Sequence, residues 1–346
     1  ITVFGAPVEL KRMPDCLPGH RDTYERNCVN PEEQHPAPPD GTEEGYVNNI
    51  RTVFGFPSEN LNECQIYTYY EEMEADGVKF GVWRHEKRFH RPEPRPCYVY
   101  IHGGGWIAGT VYAIEQQMRF VTELADAVVF NVDYTLAPAG KYPLQLHQIY
   151  ALVEKIHAEP EKYGIDPEKI MIGGDSAGGN MSAAISQMDK DLGNHFVKCQ
   201  YLSYPAVFLG KKRQPDYSWR LDDYEKAEDQ QEEILNLLAW LRDDDESQRG
   251  SGAEALYVAA DRADEAYASP ALAGDLTGLP RTIVATAEYD GLRIPGEYYA
   301  SLLYKNGVDV RTVRYCGCQH AILDRLGYVP QAEYILSDMA KELNRL

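Results

Sequence analysis

Ile170-Met171-Ile172-Gly173-Gly174-Asp175-Ser176-Ala177-Gly178-Gly179, followed by Asn180-Met181-Ser182-Ala183-Ala184-Ile185, is the stretch from which the fold is read. An apolar run fit for a buried strand enters a turn of small residues, and the letters after it suit the start of a helix. A strand, a tight turn and a helix with serine at the apex form a nucleophile elbow. Such a turn is strained, so its flanks must be small, as Gly174, Ala177 and Gly178 are. An ordinary strand-to-helix turn can carry the same letters, so the reading rests on what else the chain contains.

Outward from the elbow, strand and helix patterns alternate. Gln65–Tyr70 and Val78–Trp83 read as a hairpin turning at Asp76-Gly77. Cys97–Ile101 and Ala127–Val132 are short apolar runs expected to be buried strands, separated by a helix over Ile114–Leu124. Pro143 opens a helix with Leu144, Ile149, Leu152 and Ile156 inward. Cys199–Tyr204, Thr282–Ala287 and Val308–Tyr315 complete a count of eight strands, with helices over Glu297–Lys305 and at the C-terminus (Ile335, Met339, Leu343). This alternation predicts a mostly parallel eight-stranded sheet with helices on both faces and right-handed crossovers. Residues 1–60 are proline-rich and irregular apart from a short helix expected over Thr42–Phe54, and they read as an arm contributing to a cap. Residues 205–268 interrupt the rhythm. They are polar and acidic, with one apolar stripe at Ile234, Leu235, Leu237, Leu238 and Leu241, and read as a cap insertion. The catalytic domain is then 61–204 with 269–346.

Composition bounds the function. The 346 residues are 44% hydrophobic, enough for a large core, and the formal net charge is -20. That charge repels phosphate backbones and anionic lipid surfaces, which disfavours nucleic-acid and membrane-surface partners. No apolar run approaches the length of a membrane span. Seven cysteines, an odd number without a C-x-x-C pair, fit free thiols in a reducing cytoplasm, a Cys16–Cys28 bridge being the exception to look for. No basic-then-apolar leader opens the sequence, and no His/Cys spacing suggests a metal.

The residues able to carry chemistry fall at strand ends. His102-Gly103-Gly104-Gly105 follows a buried strand, and its glycines can turn backbone N–H groups toward a developing oxyanion; Gly103, Gly104 and the amide of Ala177 are the expected donors, with Gly105 shaping the loop and His102 bracing it. Asp290 ends one strand and His320 sits in the loop after the last. A serine hydroxyl needs an imidazole to take its proton, and a carboxylate to fix the imidazole's tautomer. Ser176, Asp290 and His320 occur in the chain order this fold uses. Glu288 is the alternative acid. His20 and His35 are expected to face solvent, and His147, His157 and His195 to be structural.

Taken together, His102–Trp106, Asp133–Pro138, Gly174–Asn180, Ser269-Pro270, Asp290–Arg293 and the Gly317–His320 loop resemble the hormone-sensitive-lipase-like, or bacterial family IV, esterases of the α/β-hydrolase superfamily, over about residues 95–325. The resemblance implies an α/β-hydrolase fold with a cap and a cofactor-independent carboxylesterase. Such an enzyme would cleave small to medium acyl esters through an acyl-enzyme, with a small-molecule ester as partner and a homodimer left open. Gly291 and Ile294 replace a proline and an aspartate of the usual motif around Asp290, while Thr135 and Ala139 depart from the usual Y-R-L-A-P-E. Amide or peptide hydrolysis by the same groups, and a non-catalytic small-molecule receptor, are the other readings.

Overall fold

The structure is a computed structural model describing residues 1–28, 42–239, 241–247 and 249–346, with the side chain of Val53 excepted. His35 lies outside the described residues. In chain order the strands are β1 (Thr2–Val3), β2 (Ala6–Pro7), β3 (Glu9–Lys11), β4 (Ile66–Ala75), β5 (Val78–Lys87), β6 (Arg95–Ile101), β7 (Val128–Asp133), β8 (Ile165–Asp175), β9 (Val197–Ser203), β10 (Arg281–Tyr289) and β11 (Val310–Gln319). The helices are α1 (Thr23–Asn27), α2 (Glu43–Val53), α3 (Glu115–Ala125), α4 (Leu144–Ala158), α5 (Pro160–Tyr163), α6 (Ala177–Asp191), α7 (Gln231–Leu238), α8 (Ala253–Tyr257), α9 (Arg293–Lys305) and α10 (Pro330–Arg345).

The main sheet has the order β3-β11-β10-β9-β8-β6-β7-β5-β4. It is parallel from β3 to β7 and antiparallel through β5 and β4. Among the described residues it therefore has nine strands, not eight. The extra one is β3, three exposed residues of the arm that pair with Val313–Tyr315. Three residues carry no readable period, so only the open edge of β11 reveals them.

The alternation of side chains along each strand splits the core in two. Tyr98, Tyr100 and Met171 face Met118 and Val121 of α3 and Ile335, Met339 and Leu343 of α10. Val99, Ile101, Ile170 and Ile172 face Ile149, Leu152 and Ile156 of α4 and Met181 and Ile185 of α6. Full burial of each such aliphatic side chain contributes about 1.5–3 kcal/mol, so both sheet faces need a helix layer. Pro143 is the N-cap of α4, and Leu144 is only half-buried.

Residues 205–268 carry α7, α8 and two 3₁₀ turns. Ile234 and Leu238 of α7 join Trp219 and Tyr224 in a cluster with Tyr289 of β10 and Ile294 of α9. Leu241, with φ of 60°, lies beyond the helix. In the arm, Thr42 caps α2 by accepting the Gly45 N–H. His20 is half-buried rather than solvent-facing, its Nε2 3.2 Å from Asp229. Cys16 is a buried free thiol, so no bridge joins it to Cys28. Among the described residues, no helix is long and apolar enough to cross a membrane.

Candidate active site

β8 ends at Asp175, and Ser176 takes φ 53° and ψ −116° before α6 begins at Ala177. A non-glycine residue there stores about 1–3 kcal/mol of strain. Its neighbours hold it in place: the Ser176 N–H donates to Ser203 O at 2.9 Å, and a Cβ on Gly178 would lie 1.9 Å from Ile101 O. The packing that holds the elbow thus forbids a side chain at Gly178, and at Gly174, where a Cβ would lie 2.2 Å from the same oxygen.

Asp290 and His320 follow the carboxyl ends of β10 and β11, the edge at which open α/β sheets place their sites. His320 Nδ1 lies 2.7 Å from Asp290 Oδ2, and His320 Nε2 lies 3.1 Å from Ser176 Oγ. A carboxylate can only accept, so Nδ1 carries the proton, Nε2 is the bare lone pair, and the Ser176 hydroxyl donates to it. Asp290 is 1% exposed and also accepts the Leu292 N–H through Oδ1 at 2.9 Å. Tyr204 sets its ring edge-on against the imidazole at 4.9 Å between centroids. Burial pulls the His320 pKa down, but the charge and hydrogen bond of Asp290, with Asp175 and Asp324 beyond, outweigh it; the net shift is upward from 6.5.

Glu288, the alternative acid, is engaged elsewhere. It accepts the Gly317 N–H at 2.7 Å and meets Arg12 at 3.4 Å. His102 is buried, its Nδ1 2.7 Å from Gly103 O, and burial lowers its pKa to about 4. It is a neutral brace on the loop. His147 is exposed beside Asp76, and His157 stacks on Phe196 at 3.8 Å.

The structure corrects one part of the expected donor set. The Gly103 N–H donates to Asp175 Oδ1 at 2.9 Å, so it is unavailable to a substrate oxygen. The amides of Gly104, Gly105 and Ala177 have no hydrogen-bond partner among the described residues. Gly104 and Gly105 line a cavity of about 1180 Å³ that also contains Ser176, Asp290 and His320. Of the three loop glycines, Gly104 and Gly105 are thus the ones whose amides are left unpartnered beside that cavity. Gly104, at φ 118°, could not carry a side chain, whose Cβ would stand 2.1 Å from Ala108 O. Sequence reading also passed over Asp175, Tyr100 and Tyr204. Asp175 stands inside the elbow motif, but its contacts with Tyr100 and Gly103 cross 75 and 72 residues of chain.

A strained serine between sheet and helix, an imidazole and acid at neighbouring strand ends, and unpartnered amides opposite them define the class: an α/β-hydrolase site. The profile of the alpha/beta hydrolase fold family matches residues 98–324, and the chain belongs to that family, in its hormone-sensitive-lipase-like branch. A carboxylesterase of Mycobacterium tuberculosis is 33% identical over 220 residues, covering 62% of this chain and 62% of that protein. The match thus spans less than two thirds of that relative's length. An arylacetamide deacetylase of Bos taurus is 31% identical over 286 residues, covering 68% of this chain and 71% of that protein. An esterase of Pyrobaculum calidifontis, solved in a monoclinic form, is 30% identical with a TM-score of 0.66, covering 87% of this chain and 89% of its own.

Proposed function

We propose that the protein is a serine carboxylic-ester hydrolase acting on small to medium acyl esters through an acyl-enzyme intermediate. The observation that carries this reading is the continuous hydrogen-bond line Ser176 Oγ–His320 Nε2, His320 Nδ1–Asp290 Oδ2, at 3.1 and 2.7 Å. Ser176 Oγ attacks the ester carbonyl as His320 Nε2 takes its proton. Asp290 stabilises the imidazolium that forms. The carbonyl oxygen, now negative, receives the N–H groups of Gly104, Gly105 and Ala177, the last at the positive end of α6. Collapse of the tetrahedral intermediate expels the alcohol, which His320 protonates. Water then attacks the acyl-enzyme with His320 as base, and the acid and the free serine are regenerated.

Two segments would act as the cap. Tyr46, Ile50 and Phe54 from α2 and its end, and Phe208 and Leu237 from residues 205–268, line the cavity. At about 1180 Å³ it exceeds the roughly 300–1,000 Å³ of an ordinary ligand pocket, so an acetyl or butyryl ester leaves most of it unfilled. Purified protein with a series of p-nitrophenyl esters of rising acyl length tests the reading: turnover, together with labelling by a fluorophosphonate probe, supports it. Inertness to both would remove it.

Amide hydrolysis is a second reading, favoured by the likeness to a protein named an arylacetamide deacetylase. Esters and amides share the tetrahedral intermediate, so matched acetate and anilide substrates separate the two; faster ester turnover is expected, because an alkoxide or phenolate leaves more readily than an amine.

The direction of the His320 shift gives a pH dependence. The base must be neutral, and its pKa lies above 6.5. Log kcat/KM is therefore expected to fall as pH drops through a midpoint above 6.5. A pH series with p-nitrophenyl acetate measures that midpoint, and a value below 6.5 would mean that burial outweighs the charge and hydrogen bond of Asp290.

A further inference from the structure

A carboxylate of the N-terminal arm is buried beside the loop that carries the imidazole. Glu25 of α1 is 0% exposed, and only paired partners can offset the hydration such a charge loses. Its Oε2 accepts from Arg21 at 2.5 Å. Its Oε1 accepts from Arg325 Nη1 and from the Gln319 N–H, each at 3.4 Å. The side chains of Arg21 and Arg325 are themselves 9% and 6% exposed. Burying such charges adds little stability over apolar packing, and the best-attested use of such a set is to fix one arrangement of the chain.

The arrangement fixed here is that of the backbone around His320. His320 is the first residue past β11, and Ala321 after it takes φ 62° and ψ 42°, a left-handed conformation uncommon for any residue but glycine. The chain thus turns sharply next to the imidazole, and contacts from outside the loop must hold the turn. Arg325 Nη1 donates to the carbonyls of His320 and Ala321, both at 3.3 Å, as well as to Glu25. Gln319, on the other side of His320, gives its N–H to the same Glu25 oxygen. One carboxylate oxygen therefore ties the chain before His320 directly and the chain after it through Arg325. The arm is itself pinned on two sides. The Asp22 N–H donates to Gly317 O at 2.9 Å, which seats α1 against the end of β11. Away from the loop, the Arg21 N–H donates to Gln230 at 2.8 Å, and Arg21 and Arg26 both reach Glu233 of α7, at 2.5 and 3.0 Å.

We propose that Glu25 is a positioning residue for the base: its carboxylate, anchored by Arg21, grips Gln319 and Arg325 and so holds His320 where one ring meets Ser176 and Asp290 together. The proposal rests on the hydrolase reading above. The imidazole must satisfy two distances at once, 3.1 Å to Ser176 Oγ and 2.7 Å to Asp290 Oδ2. A displacement of about 1 Å in such a group costs about 10²-fold in rate. The arm is then a bracket between α7, whose Leu237 lines the cavity, and the loop of the base. An imidazole out of line does most harm where it must both take a proton and give one back. An alkyl ester needs both transfers, because its alkoxide leaves only as His320 protonates it. A p-nitrophenyl ester needs the first alone, because p-nitrophenolate leaves unaided.

The test compares wild type, Glu25→Ala, Arg325→Met and Glu233→Ala for kcat/KM with ethyl butyrate and p-nitrophenyl butyrate, which deliver the same acyl group. Cooperative melting and near-ultraviolet circular dichroism establish that each variant is folded. In Glu25→Ala, kcat/KM is expected to fall about 10²-fold for the ethyl ester and no more than about tenfold for the p-nitrophenyl ester. A smaller fraction of active molecules would lower both alike, so the split between substrates separates positioning from a merely structural role. Arg325→Met leaves Glu25 paired with Arg21 and is expected to show the same split. Glu233→Ala loosens the arm from α7 without touching the loop, and the ratio of the two substrates should stay as in wild type. Equal losses on the two esters in a folded Glu25→Ala, or no loss, overturn the proposal. A split in Glu233→Ala as large as in Glu25→Ala also overturns it, since the effect would then lie in the docking of the arm. If Glu25→Ala does not fold, Arg325→Met decides alone: the split supports the proposal, and equal losses overturn it. Wild type that neither turns over esters nor takes a fluorophosphonate would instead overturn the hydrolase reading, and this proposal with it.

Discussion

Ser176→Ala is expected to lower kcat for p-nitrophenyl butyrate by about 10⁶-fold, leaving roughly 10³–10⁴-fold acceleration over water from the oxyanion donors and binding. The size of the effect follows from the geometry. Ser176 Oγ is the atom presented to His320 Nε2 at 3.1 Å, and alanine removes that atom while keeping the Cβ. The backbone at φ 53° carries the same strain in either residue, so the melting temperature should hardly move. Loss of activity at constant stability separates a missing nucleophile from a damaged fold. The variant should also resist fluorophosphonate labelling that wild type accepts. Residual turnover above about a hundredth of wild type would mean that another group attacks the ester and would remove Ser176 from the mechanism.

Asp290→Asn is expected to cost about 10⁴-fold in kcat with KM little changed. The substitution preserves shape but introduces an N–H₂ donor where only acceptors stood. His320 Nδ1 now faces a carboxylate oxygen at 2.7 Å and must carry the proton. Facing an amide N–H it would present a lone pair instead, moving the ring proton to Nε2 and closing that nitrogen to the serine. The lost negative charge also removes the largest upward influence on the imidazole, so the acid limb of residual activity should move to lower pH. Glu288→Gln is the control. That carboxylate is engaged by Gly317 and Arg12, and the substitution should leave the pH profile of kcat/KM where it is. An Asp290→Asn variant as active as wild type, beside an impaired Glu288→Gln, would exchange the two roles.

Most of the sheet was legible because buried parallel strands read as short apolar runs. Cys97–Ile101, Ala127–Val132 and Thr282–Ala287 all fall within or at one residue's distance of β6, β7 and β10. The end of β11 was not. Gly317, at φ 76°, reads as a loop residue, but pairing with β10 resumes beyond an irregularity, with Tyr289 opposite Gln319. Local propensity ends the strand at Tyr315; the neighbouring strand extends it. The short strand β3 within the arm was missed for a related reason. Glu9–Lys11 has no alternation of its own and becomes a strand only because Val313–Tyr315 leaves a row of unpaired backbone groups beside it.

What sequence alone determined was the class of fold and the three residues, Ser176, Asp290 and His320, that the structure brings together, because each follows a predicted strand and the carboxyl ends of strands in a parallel sheet converge on one edge. Tertiary structure alone decided which amides of the glycine loop are left unpartnered. Gly103, Gly104 and Gly105 are identical letters in one loop, and each peptide plane is oriented by a partner that local sequence cannot indicate: a carboxylate 72 residues away for Gly103, an imidazole for the next plane and a turn for the last. A side chain's type can be read from the sequence, whereas the direction of a backbone N–H follows from what lies across from it once the chain is folded.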